Sequence, residues 1–175
     1  MSKSAVTSAF LAALVLVVGL WYVKQGDFND LSPKKVTHNE QQLIGRYYEG
    51  QVDDKALTAL MDTMYKQSIT GEYTGEMVVY YFGDPDTTSS DIKVFVGIDY
   101  ELLPQPLPEG LEELQIETYK SVFVDVDPSD MFSPNPQNVN KTLREYAIKE
   151  GLKSRNIYIE KYLKSGEVRN ELAVE

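Results

Sequence analysis

Nineteen consecutive residues, Ala5 to Val23, carry no charge and are bracketed by Lys3 and Lys24. A stretch of this kind (AVTSAFLAALVLVVGLWYV) has no polar face to turn to water, so it makes a poor surface helix of a globule. Wound as an α-helix at ~1.5 Å per residue, it would span roughly the 30 Å hydrocarbon core of a bilayer. Trp21 and Tyr22 fall at its end, where amphipathic rings favour the headgroup level. Residues 1–24 are therefore expected to form a single transmembrane signal-anchor. A cleaved signal peptide is the competing reading, with Val17 and Gly19 as the small residues before the cut. The apolar run through Leu20 and Val23 speaks against it, because that region should turn polar. Flanking charge does not decide the orientation: Lys3 and the α-amino group face Lys24, Lys34 and Lys35, which are diluted by Asp27 and Asp30. A leader this short in a bacterium usually stays inside, which favours an inner-membrane protein with its domain in the periplasm; the cytoplasmic face is the alternative.

Charge and composition narrow the chemistry of the rest. The chain has 17 Lys and Arg against 27 Asp and Glu, a formal charge of -10, which argues against a nucleic-acid partner because a phosphate backbone is bound by clustered cations. With no cysteine there are no disulfides, thiolate metal sites or cysteine nucleophiles. His38 is the one histidine, which excludes a histidine-rich metal cluster and leaves few routes to triad catalysis. Asp125, Asp127 and Asp130 offer hard oxygen ligands but lack the glycine-bearing loop and terminal glutamate of an EF-hand, so they read as a strand end and turn at Pro128. No metal and no cofactor is expected.

Residues 25–40 read as a polar linker punctuated by Gly26 and Pro33, with His38 in it exposed and without a role. Beyond it the same order of elements is written twice, in halves of about 41–100 and 111–175. The first half opens on QQLIGRYYEGQV (41–52), rich in branched and aromatic residues and read as a strand. Leu57, Leu60, Met61 and Met64 then recur at helical spacing behind Asp53 or Asp54 as N-cap. MVVYYF (77–82) and IKVFVGI (92–98) follow as strands around the turn segment GDPDTTSSD. Past the proline-rich PQPLPEG come the extended segments 111–117 and 119–126. A helix follows, capped by Asn135 with Pro136 at its first position and ended by Gly151. NIYIEKYL (156–163) and NELAVE (170–175) close the chain as strands. The fold class is α+β: a duplicated strand-helix-strand-strand module preceded by a single transmembrane helix.

The strand NIYIEKYL carries the most chemistry. Alternation puts Ile157, Ile159 and Leu163 on one face, the expected side for packing on the helices, and Tyr158, Glu160 and Tyr162 on the other. A carboxylate between rings suits an aromatic or lipophilic cation, since flanking rings exclude water and their π faces add ~0.5–2 kcal/mol each. The ordinary alternative is a solvated glutamate on an amphipathic strand, with the tyrosines there for their β propensity. Glu49, beside Tyr47 and Tyr48, is a candidate second carboxylate for acid/base work.

Three short motifs, in order, resemble the gyrase-inhibitor-like (GyrI-like) small-molecule-binding domain, AraC-type effector-binding: Tyr80-Tyr81-Phe82-Gly83-Asp84-Pro85, Val96-Gly97, and Glu160-Lys161-Tyr162. The likeness covers residues 41 to 175 and, with the apolar leader, looks like that family's membrane-anchored branch. It implies two modules facing each other across a hydrophobic cleft, with Glu160 at its floor and Tyr162 beside it. Tyr80, Tyr81 and Phe82 would line the opposite half, and Tyr158 and Tyr47 complete the candidate ligand-binding set. The receptor members of that branch need a long tail after the domain, and this chain stops at Glu175, so that role is not expected.

The leading expectation is a non-catalytic, membrane-tethered domain that binds an amphipathic or cationic small molecule or a protein partner. An accessory subunit of a membrane complex, using the domain as a docking scaffold, is the second reading. Small residues on one face of the leader (Ala5, Ala9, Ala12 and Ala13) would permit close helix contact there. A hydrolase of reactive small molecules working through Glu160 is third, because the one tryptophan, Trp21, lies in the leader rather than in a cleft.

Overall fold

Among the described residues, eight strands form one antiparallel sheet that carries two amphipathic helices. The computed structural model describes residues 31–70, 73, 75–86, 91–100, 106–130 and 133–175. The expected anchor, Ala5 to Val23, lies outside them. Among the described residues no helix is long and apolar enough to cross a membrane. The elements are β1 (Lys34–His38), β2 (Gln41–Gly50), α1 (Lys55–Thr70), β3 (Met77–Tyr81), β4 (Ile92–Asp99), β5 (Glu112–Ile116), β6 (Tyr119–Val126), α2 (Pro136–Lys149), β7 (Ser154–Tyr162) and β8 (Val168–Val174).

The helix ends follow from local chemistry. Asp54 caps α1 by accepting from the backbone N–H of Ala56 at 2.8 Å. Asn135 caps α2 by accepting from Asn138 N–H at 2.8 Å, with Pro136 at the first position where a missing N–H costs nothing. Gly151, at φ +68, ends α2 in the left-handed region.

The strand order is β1-β6-β8-β7-β3-β4-β2-β5. Exchanging β1 with β5, β2 with β6, β3 with β7 and β4 with β8 turns that order into its own reverse. The halves are thus related by a pseudo-twofold axis through the β3–β7 seam, and each half is strand-strand-helix-strand-strand. This corrects the linker boundary: Lys34–His38, placed by sequence in the linker, forms β1, the counterpart of β5. The segment is short and polar, and its strand character comes from pairing with β6 rather than from its own residues. Each half lends its first strand to the other, β1 to β6 and β5 to β2.

Two-residue links join β1 to β2 and β5 to β6, although these strands stand near opposite ends of the order. Links of that length reach only ~10 Å, so the sheet must curl until its edges approach. The curl encloses one core of Leu43, Val78, Tyr80, Phe95, Ile116, Tyr119, Ile159 and Ala173. On the outer face a larger core joins Leu57 and Met64 of α1, Val139 and Leu143 of α2, and Val79, Tyr81, Val96, Tyr158 and Leu172 of the sheet.

The curled face also holds a polar network. Glu171, with no side-chain exposure, accepts from Ser121 Oγ at 2.7 Å and pairs with His38 Nε2 at 2.8 Å and Lys161 Nζ at 3.6 Å. The His38 ring also stacks on Tyr119 with centroids 4.6 Å apart. His38 is therefore half-buried and engaged, a correction to its expected exposure: β1 carries it into the curl.

Candidate functional site

The two helices pack on different strands and meet over the middle of the sheet, where Val79, Tyr81 and Tyr158 are buried beneath them. α1 packs chiefly over β3 and β4, and α2 over β6 and β8, so β7 lies under the junction between them. Tyr158 and Tyr162 on β7 pack into the core that contains the helices, while Ile157 and Ile159 face the curl. This reverses the expected facing of β7. Strand alternation fixes which residues share a face but not which face meets the helices, and here both faces are covered.

Glu160 sits at the centre of this floor, paired across the seam with Val79. It is half-buried. Two residues further along each strand, the pseudo-twofold places Tyr81 on β3 and Tyr162 on β7. Both hydroxyls donate to the Glu160 carboxylate, that of Tyr162 at 3.4 Å. Burial pushes the Glu160 carboxyl above the usual carboxylate range, and the two tyrosine hydrogen bonds offset part of that rise. The same burial, together with the nearby carboxylate, raises both tyrosines, so they stay neutral donors.

One end of the junction is tied shut. Arg144 of α2 reaches the β3–β4 turn, donating to Asp84 at 2.9 Å and Asp86 at 3.1 Å, and to the Tyr158 hydroxyl at 3.1 Å. Asn140 adds a bond to Asp86 at 3.1 Å. Replacing Arg144 with methionine leaves two carboxylates facing each other and unfastens α2 from the first half. Urea unfolding should register a loss of about 1–3 kcal/mol, the range for deleting charge-assisted hydrogen bonds.

The other end is open. A cavity of about 310 Å3 is lined by Met61 and Tyr65 of α1, Met77, Tyr162 and Val168 of the sheet, and Pro128, with Asp62 and Glu167 among its polar residues. Tyr65 and Tyr162 meet edge to face, centroids 6.1 Å apart. Tyr162 belongs to both features, with its ring on the cavity and its hydroxyl on Glu160.

The structure brings Glu160, Tyr162, Tyr158 and Tyr81 to the helix side of the seam. Tyr80, Phe82 and Tyr47 lie elsewhere, in a separate aromatic group with Phe95 on the opposite face. Tyr80 and Phe82 centroids are 5.0 Å apart, and Tyr47 meets Phe95 at 4.8 Å. Adjacent residues on a strand cannot share a face, which splits Tyr81 from its neighbours. Glu49 is exposed on β2, on the side of Tyr47, and does not pair with Glu160. Asp125 is held by Arg169 at 2.7 Å, and Asp127 accepts from Ser129. Sequence reasoning missed Asp62, Tyr65, Met77 and Glu167. The i, i+4 spacing of Met61 and Tyr65 was the available signal; the helix stripe took in Met61 and passed over Tyr65.

No family model and no curated protein matches the chain. Solved structures do. The C-terminal domain of EcmrR is 13% identical, with a TM-score of 0.59, over 83% of this chain and 98% of that one. SAV2435, in a structure with bound tetraphenylphosphonium, is 8% identical, with a TM-score of 0.55, over 83% and 94%. A hydrolase from Listeria innocua is 12% identical, with a TM-score of 0.51, over 87% and 97%. These likenesses show the fold, an α+β architecture shared with GyrI-like domains.

Proposed function

We propose that this chain is a membrane-tethered, non-catalytic effector-binding domain whose ligand is an amphipathic cation, bound over the β3–β7 seam and against Glu160. The observation that carries the reading is a half-buried carboxylate at the centre of the floor, under the junction between the helices, ringed by tyrosines and beside an apolar hollow. A carboxylate with an upward-shifted pKa in such a place gains most from a cation that brings its own apolar groups. The bound tetraphenylphosphonium of SAV2435 has that chemistry. The tether is residues 5–23, set in a bacterial inner membrane with the domain in the periplasm; its support is the length and uncharged character of that stretch. Hydrolysis draws no support from Glu49, which stands on the other face.

Tetraphenylphosphonium titration tests the site. Glu160→Gln is expected to weaken binding by about tenfold or more, corresponding to ~1.4 kcal/mol. Binding by the unaltered chain should strengthen as pH rises through the elevated Glu160 value, because only the ionised carboxylate attracts a cation. Folding stability runs the other way: a carboxyl whose folded pKa is raised loses stability as pH climbs from its unfolded to its folded value. Glu160→Gln should therefore be slightly more stable at neutral pH. A pH-independent affinity, unchanged in that variant, overturns the reading.

The docking-scaffold reading is favoured by one observation, the exposure of Tyr47 at 41% and Phe82 at 39% on the face away from the helices. Recovery of a stoichiometric partner in mild detergent, lost in Tyr47→Ser with Phe82→Ser, would support it.

A further inference from the structure

The chain enters the domain and the hollow opens at the same end of the sheet. Leu31, the first described residue, packs onto the outer core and lines a surface pocket together with Asp125, Val126 and Asp127. The next residue, Pro128, forms part of the hollow. Val126 pairs with Val168, and Val168 with Tyr162, both of which line the hollow. Leu31 and the hollow thus flank a single turn. Ser154 and Val174 mark the opposite end of the sheet, a strand length away, or ~20 Å.

Seven residues separate Val23 from Leu31, eight Cα–Cα steps with a reach of at most ~29 Å. A tether of this length, whose r.m.s. span as a coil would be roughly 16 Å, keeps the end it is attached to nearer the bilayer on average than the far end. We infer that the hollow opens towards the bilayer and takes its cation from the headgroup layer rather than from bulk water. This rests on the tethered cation-binding reading above. Met61, Met77, Tyr65 and Tyr162 offer an apolar, ring-bearing wall, and Asp62 and Glu167 bring carboxylates to it. A lipophilic cation leaving the headgroup layer would exchange one half-apolar, half-charged environment for another, with no fully aqueous step between them. The same carboxylates favour a zwitterionic over an anionic lipid surface.

Because the chain has no cysteine, a single introduced cysteine can be labelled uniquely. The full chain, reconstituted in phosphatidylcholine vesicles, would carry a fluorophore at Ser165→Cys near the hollow or at Lys153→Cys at the far end. A headgroup-borne nitroxide is expected to quench the first label several-fold more than the second. A glycine-serine spacer of about twenty residues after Asp27 lengthens the reach and should even the two out. With rhodamine 6G preloaded in the vesicles, capture by the chain should slow several-fold once the spacer is present. Equal quenching without the spacer, stronger quenching at Lys153→Cys, or capture indifferent to the spacer overturns the inference. Failure to float with vesicles removes the tether itself. A chain that shows the quenching difference but does not bind tetraphenylphosphonium overturns the ligand reading instead, so the failures are distinguishable.

Discussion

Lys161→Met is expected to destabilise the domain by about 3–5 kcal/mol, the range for removing one partner of a buried ion pair. Lys161 is 6% exposed and Glu171 1%. With the ammonium gone, Glu171 keeps His38 and Ser121, but its second oxygen loses the Lys161 charge that faces it at 3.6 Å. The double variant Lys161→Met with Glu171→Met removes both charges and should recover most of the loss, since an apolar pair of similar volume often matches a buried ion pair. Urea midpoints of the two single variants and the double variant provide the cycle; additive losses would mean that the charges do not interact. Acid should act on the same network. Burial alone would push Glu171 up, but the hydrogen bond from His38 and the charge of Lys161 override it and hold the carboxyl below the usual range. A carboxyl with a lowered folded pKa contributes stability above its unfolded value and loses it as pH falls through the folded value. Unfolding below the ordinary glutamate range should therefore be blunted in the double variant.

Gly45→Ala should be about as damaging, at about 3 kcal/mol or more, because overpacking rigid backbone is among the costlier substitutions. A Cβ on Gly45 would lie 2.1 Å from the carbonyl oxygen of Val96 and 2.5 Å from the Cα of Gly97. These are main-chain atoms of the neighbouring strand and cannot rotate away. Gly45 and Gly97 face each other in the β2–β4 register, and the close approach needs both to lack side chains. The control is Gly83→Ala, where a Cβ meets nothing within 4 Å and the change should stay within ~0.5 kcal/mol. Similar losses in the two variants would mean that the strands can part at little cost.

Much of this frame was legible in the chain. Both helices lie where their stripes and caps put them, because Asp54, Asn135, Pro136 and Gly151 act within a few residues of themselves. β2 to β8 follow from runs of branched and aromatic residues. β1 escaped because KKVTH carries no strand signal of its own; its structure is decided by β6, far away in sequence. The site was legible in part. Alternation correctly grouped Tyr158, Glu160 and Tyr162, yet it assigned them the wrong side, since a curled sheet with apolar layers on both faces leaves no hydrophobic contrast to read. The set formed by half-buried His38 with buried Lys161 and Glu171 was illegible for a related reason: three charged or titratable residues on three separate strands look like solvent-facing residues until the curl brings them together.

The palindromic strand order has a consequence for how the seam could select a guest. Glu160 stands almost on the axis that interchanges the halves, so its charge would attract a cation nearly equally in either of two reversed poses. The charge on the axis therefore decides that a guest is held, while the off-axis residues decide which way round. Arg144 bars one direction and the hollow beside Tyr65 admits the other, so changes of preference among cations should trace to those flanks and leave the carboxylate untouched.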